Sequence, residues 1–346
     1  DLLLKGIELD ANCTFCNEIL GTLYYSKNEY VKASRYLEKA TQLSNKNDTI
    51  LLQYANTLYF QGNFTQAKDY YSEAFTRNPE NDMALYRLCE MYLFEGEIGK
   101  AELVIQNNKR DRKSGWIHLT EAKIYEASNK IEAAYKSYIQ AFEAIPDNFE
   151  ALKGLGSISI LQNKYNKALE YYGKAMTLKP NDIEIFIGMG KAFYHLKNYT
   201  AAMELFNEVT SMPKNDVELY HMMGLTYSKL KKHNAAIEIL KEGLKIKEKD
   251  ADLQFTLGSE LGNNSQFQES ITSYLKAIKY DKTKAIDGYL AIGNIYYFKL
   301  NSTKNAKRYY SKYVKAGGTD SKVKSILAQL QTKKDIAPLK SYDYKN

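Results

Sequence analysis

Residues 149–182 read FEALKGLGSISILQNKYNKALEYYGKAMTLKPND, and the same plan, about 34 residues long, returns along nearly the whole chain. Gly156 belongs to a series of small residues at Gly21, Ala55, Cys89, Ala122, Gly156, Gly190, Gly224, Gly258 and Gly293, spaced 33 to 35 residues apart. Ala168 belongs to a second series, at Ala33, Ala67, Ala101, Ala134, Ala168, Ala202, Ala236 and Ser270, each twelve residues after its counterpart in the first. Two small positions locked at that offset predict two helices that cross closely. Between them lie turn signals such as Gln61-Gly62-Asn63-Phe64, Glu95-Gly96-Glu97-Ile98 and Leu196-Lys197-Asn198-Tyr199, where Gly and Asn tolerate the backbone angles that end a helix.

Apolar residues fall at helical spacing on both sides of the turn: Phe186, Met189, Gly190 and Phe193 before it, Tyr199, Ala202, Phe206 and Val209 after it. Each repeat is therefore a helical hairpin whose two amphipathic faces need neighbours to be buried. Pro79, Pro146 and Pro180, with Pro213 displaced by one residue, stand where the second helix must stop, because proline lacks the amide hydrogen and clashes with the preceding turn. Asn81-Asp82, Asn181-Asp182 and Asn215-Asp216 then supply acceptors for the first free amides of the next helix.

These residues resemble the tetratricopeptide repeat family, whose unit has a bulky residue, Leu-Gly, Tyr, Ala, an aromatic, Ala and Pro. Leu152, Leu155-Gly156, Ala168, Tyr172, Ala175 and Pro180 carry the likeness in one repeat, and Phe186, Met189-Gly190, Phe193, Ala202 and Phe206 carry it in the next. The resemblance implies an all-α solenoid of antiparallel helix pairs, wound as a right-handed superhelix, with the first helix of each pair lining a concave groove. The third repeat departs from the pattern at Ile105 and Asn108 and is one residue short, and the ninth has an extra residue placed near Ser302-Thr303. Nine units are expected at 14–47, 48–81, 82–114, 115–148, 149–182, 183–216, 217–250, 251–285 and 286–319. Residues 1–13 align with the second helix of a preceding unit, so the natural protein is expected to begin upstream. Val323, Ile326, Leu327 and Leu330 predict a capping helix over 320–334, followed by a loose polar tail at 335–346.

The charge of +7 is unevenly placed, since residues 304–346 hold eleven basic and three acidic side chains while residues 1–303 are near neutral. The lysines are spread and lack interleaved aromatics, so a solvated face is expected rather than a nucleic-acid or membrane surface. No run of 18 apolar residues suggests a membrane span, so a soluble chain is expected; the compartment is left unassigned, the cytoplasm favoured and a bacterial periplasm kept as the alternative. Gly154-Leu-Gly156 and Gly188-Met-Gly190 imitate the start of a dinucleotide loop, but no strand precedes them and the third glycine is missing. Cys13 and Cys16 form a CxxC without two further zinc ligands, and Cys89 occupies a packed small-residue slot, so the three cysteines read as structural and favour a reducing compartment. His195 and His221 face the groove in adjacent units, where a solvated pair is expected rather than a metal. No enzyme, cofactor or metal is predicted.

Counting from the first residue of each unit, the resemblance places positions two, five, nine, twelve and thirteen in the groove. There the first four units are rich in apolar side chains: Tyr25, Leu52, Tyr59, Phe60, Tyr86, Phe94 and Leu119, joined by Trp116. Exposed apolar surface of this kind marks a binding site, and Lys123, Lys153, Lys191, His195 and His221 would set the direction of a ligand along it. The five carboxylates Glu150, Glu184, Glu218, Asp252 and Asp287 stand at position two, the first helical turn, where they offset the helix dipole. The family's carboxylate clamp is not matched, because Lys153 is followed by Ser157, Gly188 and Glu218. An Asn ladder at position nine is also missing, with only Asn56 and Asn294 in that series. The expected function is a protein-interaction scaffold holding an extended peptide or helix of another protein; the alternative is a regulatory or substrate-presenting arm of a larger enzyme or sensor.

Overall fold

The computed structural model describes residues 2–45, 47–108, 114–210 and 216–332, all helix, turn and bend, with no strand among them. The expected tail 335–346 and the signals at Pro213 and Asn215 lie outside the described residues. Two compact units divide the chain, residues 1–181 and 182–346.

Unit 1 opens with α1 (Leu2–Leu9) and continues through five hairpins: α2 (Thr14–Ser26) with α3 (Tyr30–Leu43), α4 (Asp48–Phe60) with α5 (Phe64–Arg77), α6 (Asp82–Phe94) with α7 (Ile98–Asn108), α8 (Gly115–Ala127) with α9 (Ile131–Ala144), and α10 (Phe149–Leu161) with α11 (Tyr165–Leu178). Unit 2 has four: α12 (Ile183–His195) with α13 (Tyr199–Thr210), α14 (Val217–Lys229) with α15 (His233–Ile246), α16 (Ala251–Asn263) with α17 (Phe267–Tyr280), and α18 (Ala285–Asn294) with α19 (Thr303–Lys315). A last helix, α20 (Ser321–Gln331), lays Val323, Ile326 and Leu327 on Tyr297, Tyr310 and Tyr313.

Short polar side chains start the first helices. Asn81 Oδ1 accepts from the Ala84 amide at 3.0 Å, Asn148 Oδ1 from Ala151 at 3.0 Å, and Asp216 Oδ1 from Glu218 at 2.9 Å, so amides that the helix leaves unbonded find acceptors. The turn inside each hairpin is also repeated. At its fifteenth position the backbone enters the left-handed region, with φ of +60° at Asn28, +81° at Gly62, +75° at Gly96, +56° at Asn129, +58° at Asn163, +62° at Lys197, +58° at Lys231 and +61° at Ser265. The next amide then reaches back to the carbonyl five residues earlier, as from Glu29 to Tyr24, Asn63 to Leu58 and Lys164 to Ser159, at 2.8 to 2.9 Å. This closes the first helix, and α3, α5, α9, α11, α15 and α17 then start without a side-chain cap, while at α13 Asn198 Oδ1 accepts from the Ala201 amide at 3.2 Å.

The two small-residue series meet large side chains. A Cβ added at Gly190 would lie 2.3 Å from the Phe206 ring, and one at Gly156 would lie 2.6 Å from Tyr172. Ala168, Ala202 and Ala236 are fully buried. The aromatic slot facing these residues is core, with Tyr71, Tyr138, Tyr172 and Tyr274 all buried. Two of their hydroxyls bond to side chains: Tyr71 donates to Asn56 Oδ1 at 2.7 Å, and Tyr138 donates to Glu126.

Two expectations change. The extra residue of the last hairpin sits at Ile295–Lys299, a π-helical turn that ends α18 with a bond from the Leu300 amide to the Ile295 carbonyl, rather than at Ser302-Thr303. A wider turn absorbs one inserted residue while the helix keeps its axis. The Cys13–Cys16 pair, expected as thiols, is a disulfide with Cα atoms 5.3 Å apart, at the start of α2, while Cys89 is free and buried. The close spacing lets the bridge form inside a single turn.

Candidate protein-binding site

The thirteenth position of a first helix projects at the turn end of its hairpin, and in unit 1 three of these side chains are large, apolar and open: Leu161, 57% exposed, and two phenylalanines. Phe60 is 50% exposed and Phe94 is 64% exposed. They belong to a connected row of rings. Tyr25 meets Tyr30 at 5.7 Å and Phe60 at 5.9 Å; Tyr30 stacks on Phe60 at 5.2 Å; Tyr59 meets Phe60 and Phe64, each at 5.4 Å; Phe64 meets Phe94 at 5.1 Å. Six aromatic side chains from three consecutive hairpins thus form one strip, and a shallow recess opens beside Tyr30 and Phe60, lined also by Val31 and Lys32.

Tyr30 and Phe64 were not among the sequence candidates. They begin second helices, at position seventeen, and the repeat pattern assigns that side chain to the hairpin rather than to the groove. The signal that finds them is local: an aromatic at seventeen follows an aromatic at twelve or thirteen, so the turn brings the rings together.

Other expected contact residues are covered. Leu52, Tyr86 and Leu119, all at position five, are buried, with Tyr86 1% and Leu119 0% exposed. They are corrected here from contact side chains to packing, because position five lies between successive first helices. Trp116 is partly buried against Tyr86, with ring centroids 5.3 Å apart. Tyr25 and Tyr59 are half-buried members of the strip.

A chain of alternating charge, partly covered, links α6, α8 and α10. Arg87 Nη1 donates to Glu90 Oε2 at 2.7 Å, Lys123 Nζ donates to Glu90 Oε1 at 2.7 Å and to Glu150 Oε2 at 3.4 Å, and Lys153 Nζ lies 3.4 Å from the same Glu150 oxygen. The Arg87 guanidinium and the Lys123 ammonium both lie over the Tyr86 ring, at 5.3 and 5.4 Å. Burial opposes ionisation of Glu90, yet Lys123 and Arg87 overcome it and hold its carboxyl down at about 2. Lys123 and Lys153 are therefore tied to the protein's own carboxylates. The sequence missed Arg87 because it stands at position six, outside the five groove positions.

Unit 2 carries different side chains at the same places. Lys191 pairs with Glu218, whose side chain is 59% exposed, repeating the Lys123–Glu150 link at an identical offset of 27 residues. His195 is exposed at position thirteen and sits edge-on to Tyr194 at 5.5 Å, while His221 Nε2 lies 2.9 Å from Thr256 Oγ1. The two histidines are thus engaged separately. Burial pulls the His221 pKa below 6.5 against the carboxylates Asp252, Asp250 and Glu218. No group of three or more possible metal ligands occurs among the described residues, and no helix there is long and apolar enough to cross a membrane.

Comparison with known proteins agrees with this architecture. Models described as tetratricopeptide repeat match residues 48–91, 119–183, 159–225, 217–250 and 251–284. The Cut9–Hcn1 hetero-tetramer of the APC/C contains a chain that superposes with a TM-score of 0.66 at 18% identity, covering 86% of this chain and 58% of that one, and shows the fold. A BBSome complex member, the BBS4 homolog of Drosophila melanogaster, is 19% identical over 163 residues, 44% of this chain and 34% of that protein. The chain thus spans about a third of the curated relative it matches. Hairpin spacing, all-helical architecture and matches spread along the sequence agree: the chain belongs to the tetratricopeptide repeat family.

Proposed function

We propose that this chain is a non-catalytic scaffold that binds an apolar segment of another protein, extended or helical, on the aromatic strip of unit 1. The six linked rings, with Phe60 and Phe94 at least half open to solvent, carry this reading. Packing within the hairpins does not require those two rings, and clustered aromatics at the centre of an interface supply much of its binding energy, about 2 kcal/mol or more for each one truncated. Tyr25 and Tyr59 hold the open rings in place and contribute their own edges. Lys191, His195 and His221 lie in unit 2 and are not part of the strip.

The test is to select random phage-displayed peptides on the whole chain and on a Phe60→Ser, Phe94→Ser double variant. The expected result is a set of apolar peptides enriched on the natural sequence and lost on the variant, whose helical circular dichroism and melting temperature stay unchanged. Equal enrichment on both proteins would overturn the assignment.

A further inference from the structure

Unit 2 has a cleft of about 420 Å³ where α15, α16 and α17 meet. Gln254, Leu257 and Leu261 of α16 are buried and form its floor, with the half-buried Leu244 of α15 beside them and Ser273 of α17 opposite. Gln254 stands at position four of its hairpin. In six other hairpins that position is taken by Leu51, Leu85, Leu152, Phe186, Tyr220 and Tyr289, large side chains that are buried or packed against the core. In the remaining two it is polar and engaged: Asn17 Nδ2 donates to the Cys13 carbonyl at 2.9 Å, and His118 Nδ1 lies 3.4 Å from Glu121 Oε2. Gln254 is only 5% exposed, yet its carboxamide has no hydrogen-bond partner among the described residues, and the Ser273 hydroxyl, in a residue 7% exposed, has none either. A covered polar group without a partner is costly, and a bond to an occupant of the cleft removes that cost.

We propose that this cleft is a second peptide-binding site, independent of the strip in unit 1, and that its occupant is an extended, uncharged segment of another protein. A carboxamide offers an acceptor and a donor side by side, as a backbone peptide group does, so a single peptide group of the occupant can donate to Gln254 and accept from it. An aliphatic side chain of the segment covers Leu257 and Leu261. From Gln254 to Leu261 the floor runs about 10 Å along α16, the reach of about three extended residues. The rim holds Lys241 and Lys276 against Glu248 and Glu269, a formal charge of zero, so neither a polyanion nor a basic segment gains from it.

The probe is the capped tripeptide acetyl-alanyl-leucyl-alanine methylamide, titrated to millimolar concentration into the whole chain with carbon-13 in its leucine methyl groups. The methyl signals of Leu244, Leu257 and Leu261 are expected to shift, and affinity is read from them. Analogues in which each amide in turn becomes an ester lose one N–H, and one of them is expected to bind about tenfold more weakly. Gln254→Leu, which installs the side chain that three other hairpins carry at this position, is expected to keep the helical circular dichroism and melting temperature, to weaken the tripeptide about tenfold, and to bind amide and ester alike. The ester series leaves the protein untouched and so decides the matter even where Gln254→Leu folds poorly. Cleft methyl signals that do not move, esters that all bind as well as the amide, an affinity unchanged in Gln254→Leu, or a probe with glutamate or lysine in place of leucine that binds equally well would each overturn the proposal. Phe60 and Phe94 are unaltered throughout, so failure here leaves the strip in unit 1 standing.

Discussion

Units 1 and 2 are built on one repeat, yet they differ at the positions that packing leaves free. At position thirteen unit 1 presents Ser26, Phe60, Phe94, Ala127 and Leu161, where unit 2 presents His195, Lys229, Asn263 and, in its last hairpin, Phe298. At the small positions they agree, and Gly156 and Gly190 are both pressed by an aromatic ring. The same lysine-to-glutamate link ties neighbouring hairpins in each, with the lysine equally covered in both and the glutamate 27% exposed in unit 1 but 59% exposed in unit 2. Each hairpin is stabilised by its neighbours, so the core is held to one pattern while the face diverges hairpin by hairpin.

The sharpest way to break this comparison is to remove Glu90. Glu90→Ala leaves Arg87 and Lys123 without their shared carboxylate and is expected to cost about 3 kcal/mol of unfolding free energy, measured by urea denaturation. The effect is tied to acid: a carboxyl held down at about 2 gives its full stabilisation above its ordinary 4.5 and loses it as the pH falls toward 2, so the gap between natural and variant proteins should close over that range. In unit 2 the corresponding sensitivity lies higher. The buried neutral form of His221 stabilises above 6.5 and its contribution starts to go as the pH drops below that value. Hydrogen exchange at pH 7, 5.5 and 3 should show α14–α15 losing protection before α6–α7.

Next in size, Gly156→Ala and Gly190→Ala should each cost about 1–3 kcal/mol, because the new methyl meets a ring in both units. A large effect in one and none in the other would mean that the two cores are not alike. Smallest is Glu218→Gln, expected to cost a few tenths of a kcal/mol, since the Glu218 side chain is mostly exposed. A loss as large as that of Glu90→Ala would erase the contrast drawn between the two networks.

The hairpins were legible because their signals are local and repeated. The first helices α2, α4, α6, α8, α10, α12, α14 and α16 run thirteen residues each, up to a turn whose Gly, Asn, Lys or Ser sits at a constant place. The contact face was legible only in part. Tyr86 and Phe94 are eight residues apart on one helix, about 80° around its axis, and both read as groove aromatics. What separates them is the neighbour: Trp116 and Lys123, from the following hairpin, lie against Tyr86, while Phe94 stays open. Spacing reports direction and says nothing of how far an adjacent side chain reaches.

The left-handed turn residues have a practical consequence. In unit 1 that place is taken by Asn28, Gly62, Gly96, Asn129 and Asn163, residues that accept the shape readily, whereas unit 2 sets Lys197, Lys231 and Ser265 there against steric preference. Glycine at those three sites would relieve the crowding at each turn, so unit 2 can be made sturdier one loop at a time.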